Sequence, residues 1–141
     1  MKHFAKIFQD IKLFFIKKYK EYRGKNPVKV FSKIYDKSLW GNGSGSGSDP
    51  KNAKPYIELL KSHLNDKKYK SIVDLGCGDW QIMSQIIIPD NTHYIGYDLV
   101  KSVINKNITN YKKSNIDFVQ IKSLEDIQDT KADLLMVNSR I

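Results

Sequence analysis

Val73-Asp74-Leu75-Gly76-Cys77-Gly78-Asp79-Trp80 is the stretch on which the fold turns. It runs out of an apolar segment, Lys70-Ser71-Ile72-Val73-Asp74-Leu75, that reads as a buried strand. It ends in a tight turn with two glycines one residue apart. The next run of strand character, His93-Tyr94-Ile95-Gly96-Tyr97-Asp98, finishes on a carboxylate 24 residues after Asp74. In an open parallel sheet, ligands sit outside the carboxyl ends of the strands, and glycine lets the backbone come close to them. An acid about 20 residues beyond a glycine loop can accept the ribose hydroxyls of a nucleoside. The two strand ends together point to a ligand containing adenosine.

Two details separate the candidate ligands. The dinucleotide fingerprint needs a further glycine three residues after the second, and that position is Gln81. Asp74, two residues before the first glycine, does not suit a pyrophosphate. It does suit a ligand with a free amino group and a positive sulfonium. S-adenosylmethionine has both, so it fits better than NAD.

Outward from this loop the pattern alternates. Trp80 to Ile88 is predicted as a helix stopped by Pro89, and Val100 to Tyr111 as a helix with Val103, Ile104 and Ile108 inward. Ile116 to Ile121 is a third strand, Leu124 to Ile127 a short helical turn, and Ala132 to Val137 a fourth strand. Upstream, Asp49 is a plausible N-cap with Pro50 at the first helical position, followed by a helix burying Ala53, Tyr56, Ile57, Leu60 and Leu64. Strands alternating with helices indicate βαβ units and an α/β fold with a parallel sheet. Residues 28–40 are apolar but irregular and read as a short helix. Gly41-Asn42-Gly43-Ser44-Gly45-Ser46-Gly47-Ser48 has the composition of a flexible linker.

The chain has 141 residues, enough for one domain, with 40% hydrophobic and 28% charged residues, which suits a globular protein. No apolar run exceeds four residues, far short of the roughly 20 that a transmembrane helix needs. Cys77 is the sole cysteine, which excludes a disulfide framework and a cysteine-based zinc cage and leads us to expect a reducing, cytoplasmic setting. The net charge of +9 is uneven: residues 1–37 hold eleven Lys/Arg and three Asp/Glu, and residues 38–141 hold thirteen and twelve. A basic arm on a nearly neutral body is no signature of a nucleic-acid reader. Within the arm, Phe4, Ile7, Phe8, Ile11, Phe14, Phe15, Tyr19 and Tyr22 recur at helical spacing among lysines. The preferred reading packs this aromatic stripe on the chain's own domain; the alternative lays residues 1–23 on an anionic membrane.

In the stretches Trp40-Gly41 with the Gly/Ser run, Asp74-Leu75-Gly76-Cys77-Gly78-Asp79-Trp80-Gln81 and Tyr94-Ile95-Gly96-Tyr97-Asp98, the chain resembles a small bacterial branch of the class I S-adenosylmethionine-dependent methyltransferases. The resemblance covers roughly residues 38–137. It implies a Rossmann-like parallel sheet, S-adenosyl-L-methionine as cofactor and methyl transfer to an unidentified acceptor. It divides the chain into an arm (1–37), a Gly/Ser-rich flap or linker (38–51) and a cofactor-binding core (52–141). By this resemblance Asp74, Gly76, Cys77 and Gly78 line the methionine end of the cofactor, and Asp98 holds the ribose. Ser123, in Ile121-Lys122-Ser123, falls where many members place an acid near the adenine, with Glu125 or Asp126 as weak substitutes for that acid, and the Gly/Ser run becomes a flap over the cofactor. Trp80 stands where the family's last glycine would be.

Bland roles remain beside these. Asp74 could satisfy the N–H groups of its own turn, and Asp98 could cap the following helix. Cys77 could be a small turn residue, and His63 and His93 surface or packing residues. No general base and no metal site announce themselves. The family's sheet has seven strands, and four are expected here, so we expect an incomplete, marginally folded unit with little turnover. Ala132 to Val137 would then be an open apolar edge suited to dimerisation. The rival readings are a non-catalytic nucleotide-binding remnant and a peripheral membrane protein.

Overall fold

In the computed structural model the described residues are 13, 26–41, 43–127 and 131–138. Of the arm's aromatic stripe nothing is described, so its expected amphipathic helix lies outside these residues; Leu13 is helical and exposed. Four strands form one parallel sheet: β1 (Ser71–Leu75), β2 (His93–Asp98), β3 (Ile116–Gln120) and β4 (Leu134–Val137). Their order is β3-β2-β1-β4, so β1 is central and the chain reverses direction of travel across it after β3. Asp74 lies beside Gly96 on β2 and Met136 on β4.

The period of two along β1 feeds two cores. Ile72 packs on one face with Tyr94, Ile116 and Phe118, covered by Ala53, Ile57, Leu60 and Leu64. Val73 and Leu75 pack on the other with Tyr97, Ile121, Ile127 and Ala132. A parallel strand covered on both faces reads as a continuous apolar run, which is how Ile72-Val73-Asp74-Leu75 reads apart from its one carboxylate. That carboxylate is almost fully buried.

Three helices complete the described fold. In α1 (Pro27–Asp36), Asn26 caps the start by accepting from the Val28 and Lys29 N–H groups. Its Phe31 and Ile34 pack on Val100 and Val103 at the start of α3 (Lys101–Tyr111), and the Ser102 hydroxyl donates to Asp36. Helix α2 (Lys54–Asp66) buries Ile57, Leu60 and Leu64 as expected, but Tyr56 is 39% exposed. It starts later than Asp49-Pro50. Asp49 instead closes a preceding turn, accepting the Lys51 N–H on its side chain and the Asn52 and Ala53 N–H groups on its carbonyl. Pro55 takes the early helical position that Pro50 was expected to fill.

The helix expected over Trp80 to Ile88 is absent; only a 3₁₀ turn, Met83–Gln85, forms there. Trp80 has φ +62, which no right-handed helix can use. Past the turn, Ile86 and Ile88 are buried while Ile87 is 89% exposed, the alternation of an extended chain. On α3, Ile108 faces outward and Asn107 takes the buried place instead.

Helix α1 belongs to the packing of the core. Phe31→Ala should therefore lower the stability of the whole chain by about 3 kcal/mol, the scale of a buried phenylalanine truncation. Urea unfolding checks this: an unchanged midpoint would mean that α1 contributes nothing to the cooperative unit.

Candidate functional site

The loop after β1 takes left-handed backbone at three alternate positions: Gly76 at φ +76, Gly78 at φ +57 and Trp80 at φ +62. Glycine accepts that conformation freely, whereas an L side chain pays about 1–2 kcal/mol. Trp80 thus occupies a position whose backbone asks for glycine. Gly76 also needs its lack of a side chain, since a Cβ would meet the Asn138 carbonyl oxygen at 3.0 Å. The Tyr97 carbonyl accepts from the N–H groups of both Gly76 (2.8 Å) and Cys77 (3.0 Å), which ties the loop to the end of β2.

Gly78 is held at both ends of its backbone. Its N–H donates to Asp98 Oδ2 (3.0 Å), and its carbonyl accepts from Asn107 Nδ2 (2.7 Å). Asp98 Oδ1 accepts the Val100 N–H (3.0 Å), so the carboxylate joins the glycine loop to the entry of α3. The helix-entry role and a binding role are compatible. A carboxylate has about four lone-pair sites, and the Gly78, Leu99 and Val100 N–H groups leave capacity for a hydroxyl donor. Burial raises the Asp98 carboxyl above its ordinary range, against the pull of its backbone donors.

Asp74 sits deeper. Trp80 Nε1 donates to the Tyr94 hydroxyl (2.9 Å), which donates in turn to Asp74 Oδ2 (2.6 Å). The indole points into the core, edge-on to Phe118 (5.3 Å between ring centres, 89°) and against Tyr94 and Tyr111. Asp74 is 1% exposed, and its Oδ1 has no hydrogen-bond partner among the described residues. Burial pushes its carboxyl from 3.8 up to about 6; the Tyr94 bond pulls it down and the Asp98 charge adds to the rise.

The Gly/Ser run closes over this loop. Asp79 accepts both the Ser44 N–H and the Ser44 hydroxyl, each at 2.9 Å, and Gln81 Nε2 donates to the same carboxylate. The Tyr35 hydroxyl of α1 bonds the Ser44 hydroxyl at 2.7 Å. A Cβ on Gly43 would lie 1.7 Å from Asp79 Oδ2, and one on Gly78 would lie 2.7 Å from Ser44 Oγ. Glycine here is a condition of close approach, not a filler.

No protein-family model matches the chain, and no curated protein matches it in sequence. Among solved structures, the plantazolicin methyltransferase BpumL in complex with SAH superposes with a TM-score of 0.52 at 17% identity, over 88% of this chain and 50% of that one. The fold is that of the class I methyltransferases. The methyltransferase domain of bacterial CtHen1 (TM-score 0.46, 19% identity, 60% of this chain and 49% of that one) is also similar. So is the 16S rRNA methylase ArmA (0.45, 17%, 86% and 57%). The chain spans about half the length of these structures.

Within this methyltransferase fold, Asp74, Gly76, Gly78 and Asp98 come together at the carboxyl ends of β1 and β2. Cys77 reaches that place only with its backbone. Its thiol is buried against Gly96, where a Cβ would come within 3.0 Å of the sulfur, and burial holds its pKa well above the usual thiol range. Ser123 lies at the same end of the sheet, two residues past Ile121, whose N–H donates to the Asp98 carbonyl (2.9 Å). Its described hydrogen bonds stay in its own turn, where Asp126 accepts the Lys122 and Ser123 N–H groups. Among the described residues no group of three or more His, Cys, Asp or Glu could hold a metal ion, and no helix is long and apolar enough to cross a membrane.

Sequence reasoning missed Asn107, Tyr94 and the pairing of Ser44 with Asp79. Asn107 was findable: it follows Val103 and Ile104 at helical spacing, a polar residue on an apolar stripe. The Ser44–Asp79 contact joins residues 35 apart and has no local signal.

The raised Asp74 carboxyl fixes the sign of a stability effect. Between 3.8 and about 6 the folded chain keeps a proton that the unfolded chain releases. Stability therefore falls as pH rises through that window, by about 3 kcal/mol for this group. Asp98 acts in the same direction. Asp74→Asn should flatten this limb of the curve of unfolding free energy against pH. A variant with the wild-type slope would contradict the buried, ionising Asp74.

Proposed function

We propose that the chain binds S-adenosylmethionine at the carboxyl ends of β1 and β2 and serves methyl transfer to an acceptor. The observation that carries the reading is the left-handed glycine loop flanked by the half-buried Asp98 and the buried Asp74, one of whose oxygens has no partner among the described residues. Gly76 and Gly78 let the loop turn tightly at the end of β1, and Asp98 retains acceptor capacity for a ribose hydroxyl while fixing Gly78. Asp74 brings negative charge to the loop, suited to the amino group at the methionine end. The bound SAH in BpumL, a chain of the same fold, supports the choice of ligand class.

Bound S-adenosylmethionine supplies a methyl group on a positive sulfur, open to in-line displacement by a nucleophile. The sulfonium charge disperses as the bond breaks, so the main contribution asked of the protein is positioning. Asp98 and Asn107 hold the loop through Gly78. The segment around Gly43 and Ser44, latched to Asp79, covers the loop and would exclude water from the reacting centre.

Calorimetry on the full chain should show SAH binding more tightly than NAD. Asp98→Ala should weaken SAH binding by about 1.5–3 kcal/mol, the scale of charge-assisted hydrogen bonds. Equal affinities for wild type and variant, or a preference for NAD, would sink the assignment. Gly43→Ala should displace the Gly/Ser segment and expose it to limited proteolysis. Wild-type resistance in that variant would show that the segment does not depend on its contact with Asp79.

A further inference from the structure

The position at Trp80 poses a conflict. Its backbone is left-handed, as at Gly76 and Gly78, so glycine would sit there without strain. A tryptophan persists at that φ only when its surroundings over-determine it, and such outliers collect at functional sites. The indole N–H is the first link of a buried chain that runs through the Tyr94 hydroxyl (2.9 Å) to Asp74 Oδ2 (2.6 Å). All three side chains are at least nine-tenths buried. The chain ends on a carboxylate whose other oxygen, Oδ1, is buried with no partner among the described residues. Native folds rarely leave a buried acceptor unmet, and a charged one less often still.

We propose that Trp80 and Tyr94 are positioning residues, which by occupying Asp74 Oδ2 leave Oδ1 as the acceptor for the ammonium group of the cofactor. This rests on the reading of the site as one for S-adenosylmethionine and adds to it the two residues that set the state of its acid. Oriented donors to one carboxylate oxygen fix its plane and favour the ionised form. The second oxygen then meets the ligand with its charge intact.

The surroundings of Asp74 agree. The titratable groups that face it are Tyr94 and Asp98 from β2 and Cys77 from the loop, while its register neighbours Gly96 and Met136 carry no charge. Burial raises the Tyr94 hydroxyl and the Cys77 thiol well above their ordinary ranges, so both stay neutral. Burial and the Asp98 charge raise the Asp74 carboxyl, and Tyr94 is the side chain that opposes them. Without the Tyr94 hydroxyl, Asp74 would hold its proton to higher pH and lose its charge nearer neutrality.

The test is calorimetric titration of the full chain with SAH between about pH 5 and about pH 8, on wild type, Tyr94→Phe and Trp80→Phe. Parallel titrations use 5′-methylthioadenosine, an adenosine thioether without the amino acid. Wild-type affinity for SAH should fall about tenfold per pH unit below about 6. In Tyr94→Phe the fall should begin at higher pH, and Trp80→Phe should move it the same way by less. Affinity for methylthioadenosine should stay flat in all three. A Tyr94→Phe chain with the wild-type pH step overturns the relay, as does an equal step with methylthioadenosine, which would place the titration in the fold and not at the ammonium. Should Tyr94→Phe fail to fold, Trp80→Phe carries the same comparison, and an unmoved step overturns the relay. Wild type that binds SAH at no pH overturns the reading of the site and the relay together.

Discussion

The hydrogen bond from the Gly78 N–H to the Asp98 carboxylate joins the ends of two adjacent strands, and the site depends on it. A loop that contains glycines has more conformations to lose on folding, so it needs fixed points. Asp98 fixes the N–H side of Gly78, Asn107 fixes its carbonyl, and the Tyr97 carbonyl anchors the two residues before it. Because Asp98 also receives the Val100 N–H, the same carboxylate holds the residue that precedes α3, a helix whose start has no side-chain cap bond. The start of α3 in turn receives Phe31 and Ile34 of α1. One acidic side chain thus links the sheet, the loop and a helix pair on the domain's flank.

Asp74 works against stability once ionised, and so does Asp98, although backbone N–H donors offset part of the penalty at Asp98. A lone carboxylate in the apolar centre of β1 weakens the fold once ionised, since burial penalises the charged form. The Tyr94 hydroxyl offsets part of that cost, and the Trp80 indole polarises the hydroxyl and fills the space around it. What is left over is an unmet oxygen. Core residues chosen for stability alone would have removed the charge, and strain at Trp80 together with a deficit at Asp74 is the pattern expected of a site kept for binding.

The parallel sheet was legible because its signals are local and repeated. β1 is an apolar run broken by one carboxylate, β2 and β3 carry strand-forming residues over the right length, and the glycine turn and Asp98 mark where two of them end. The chain between Trp80 and Pro89 was misread because Ile82, Met83 and Ile86 fall at helical spacing by chance. Only the backbone at Trp80 decides against a helix, and a residue's φ is not written in its identity when that residue is not glycine. Asp49 was misread for a related reason: an aspartate before a proline caps a helix or closes a turn with the same local sequence. The outward turn of Ile108 and inward place of Asn107 reflect a polar demand, the Gly78 carbonyl, that comes from another part of the chain.

The Gly/Ser run shows most clearly how composition and role can separate. Read alone, it is a linker, since glycine and serine give the chain freedom and little to pack. The same lack of side chains lets Gly43 pass within touching distance of Asp79 and lets Ser44 insert between Asp79 and Tyr35. A linker is indifferent to which of its residues are glycine; this segment is not. At Gly43 a methyl group collides with the carboxylate, while at Gly41 it would meet nothing within 4 Å. Substitution at these two positions therefore has unequal consequences, and that inequality separates a docked segment from a tether of the same composition.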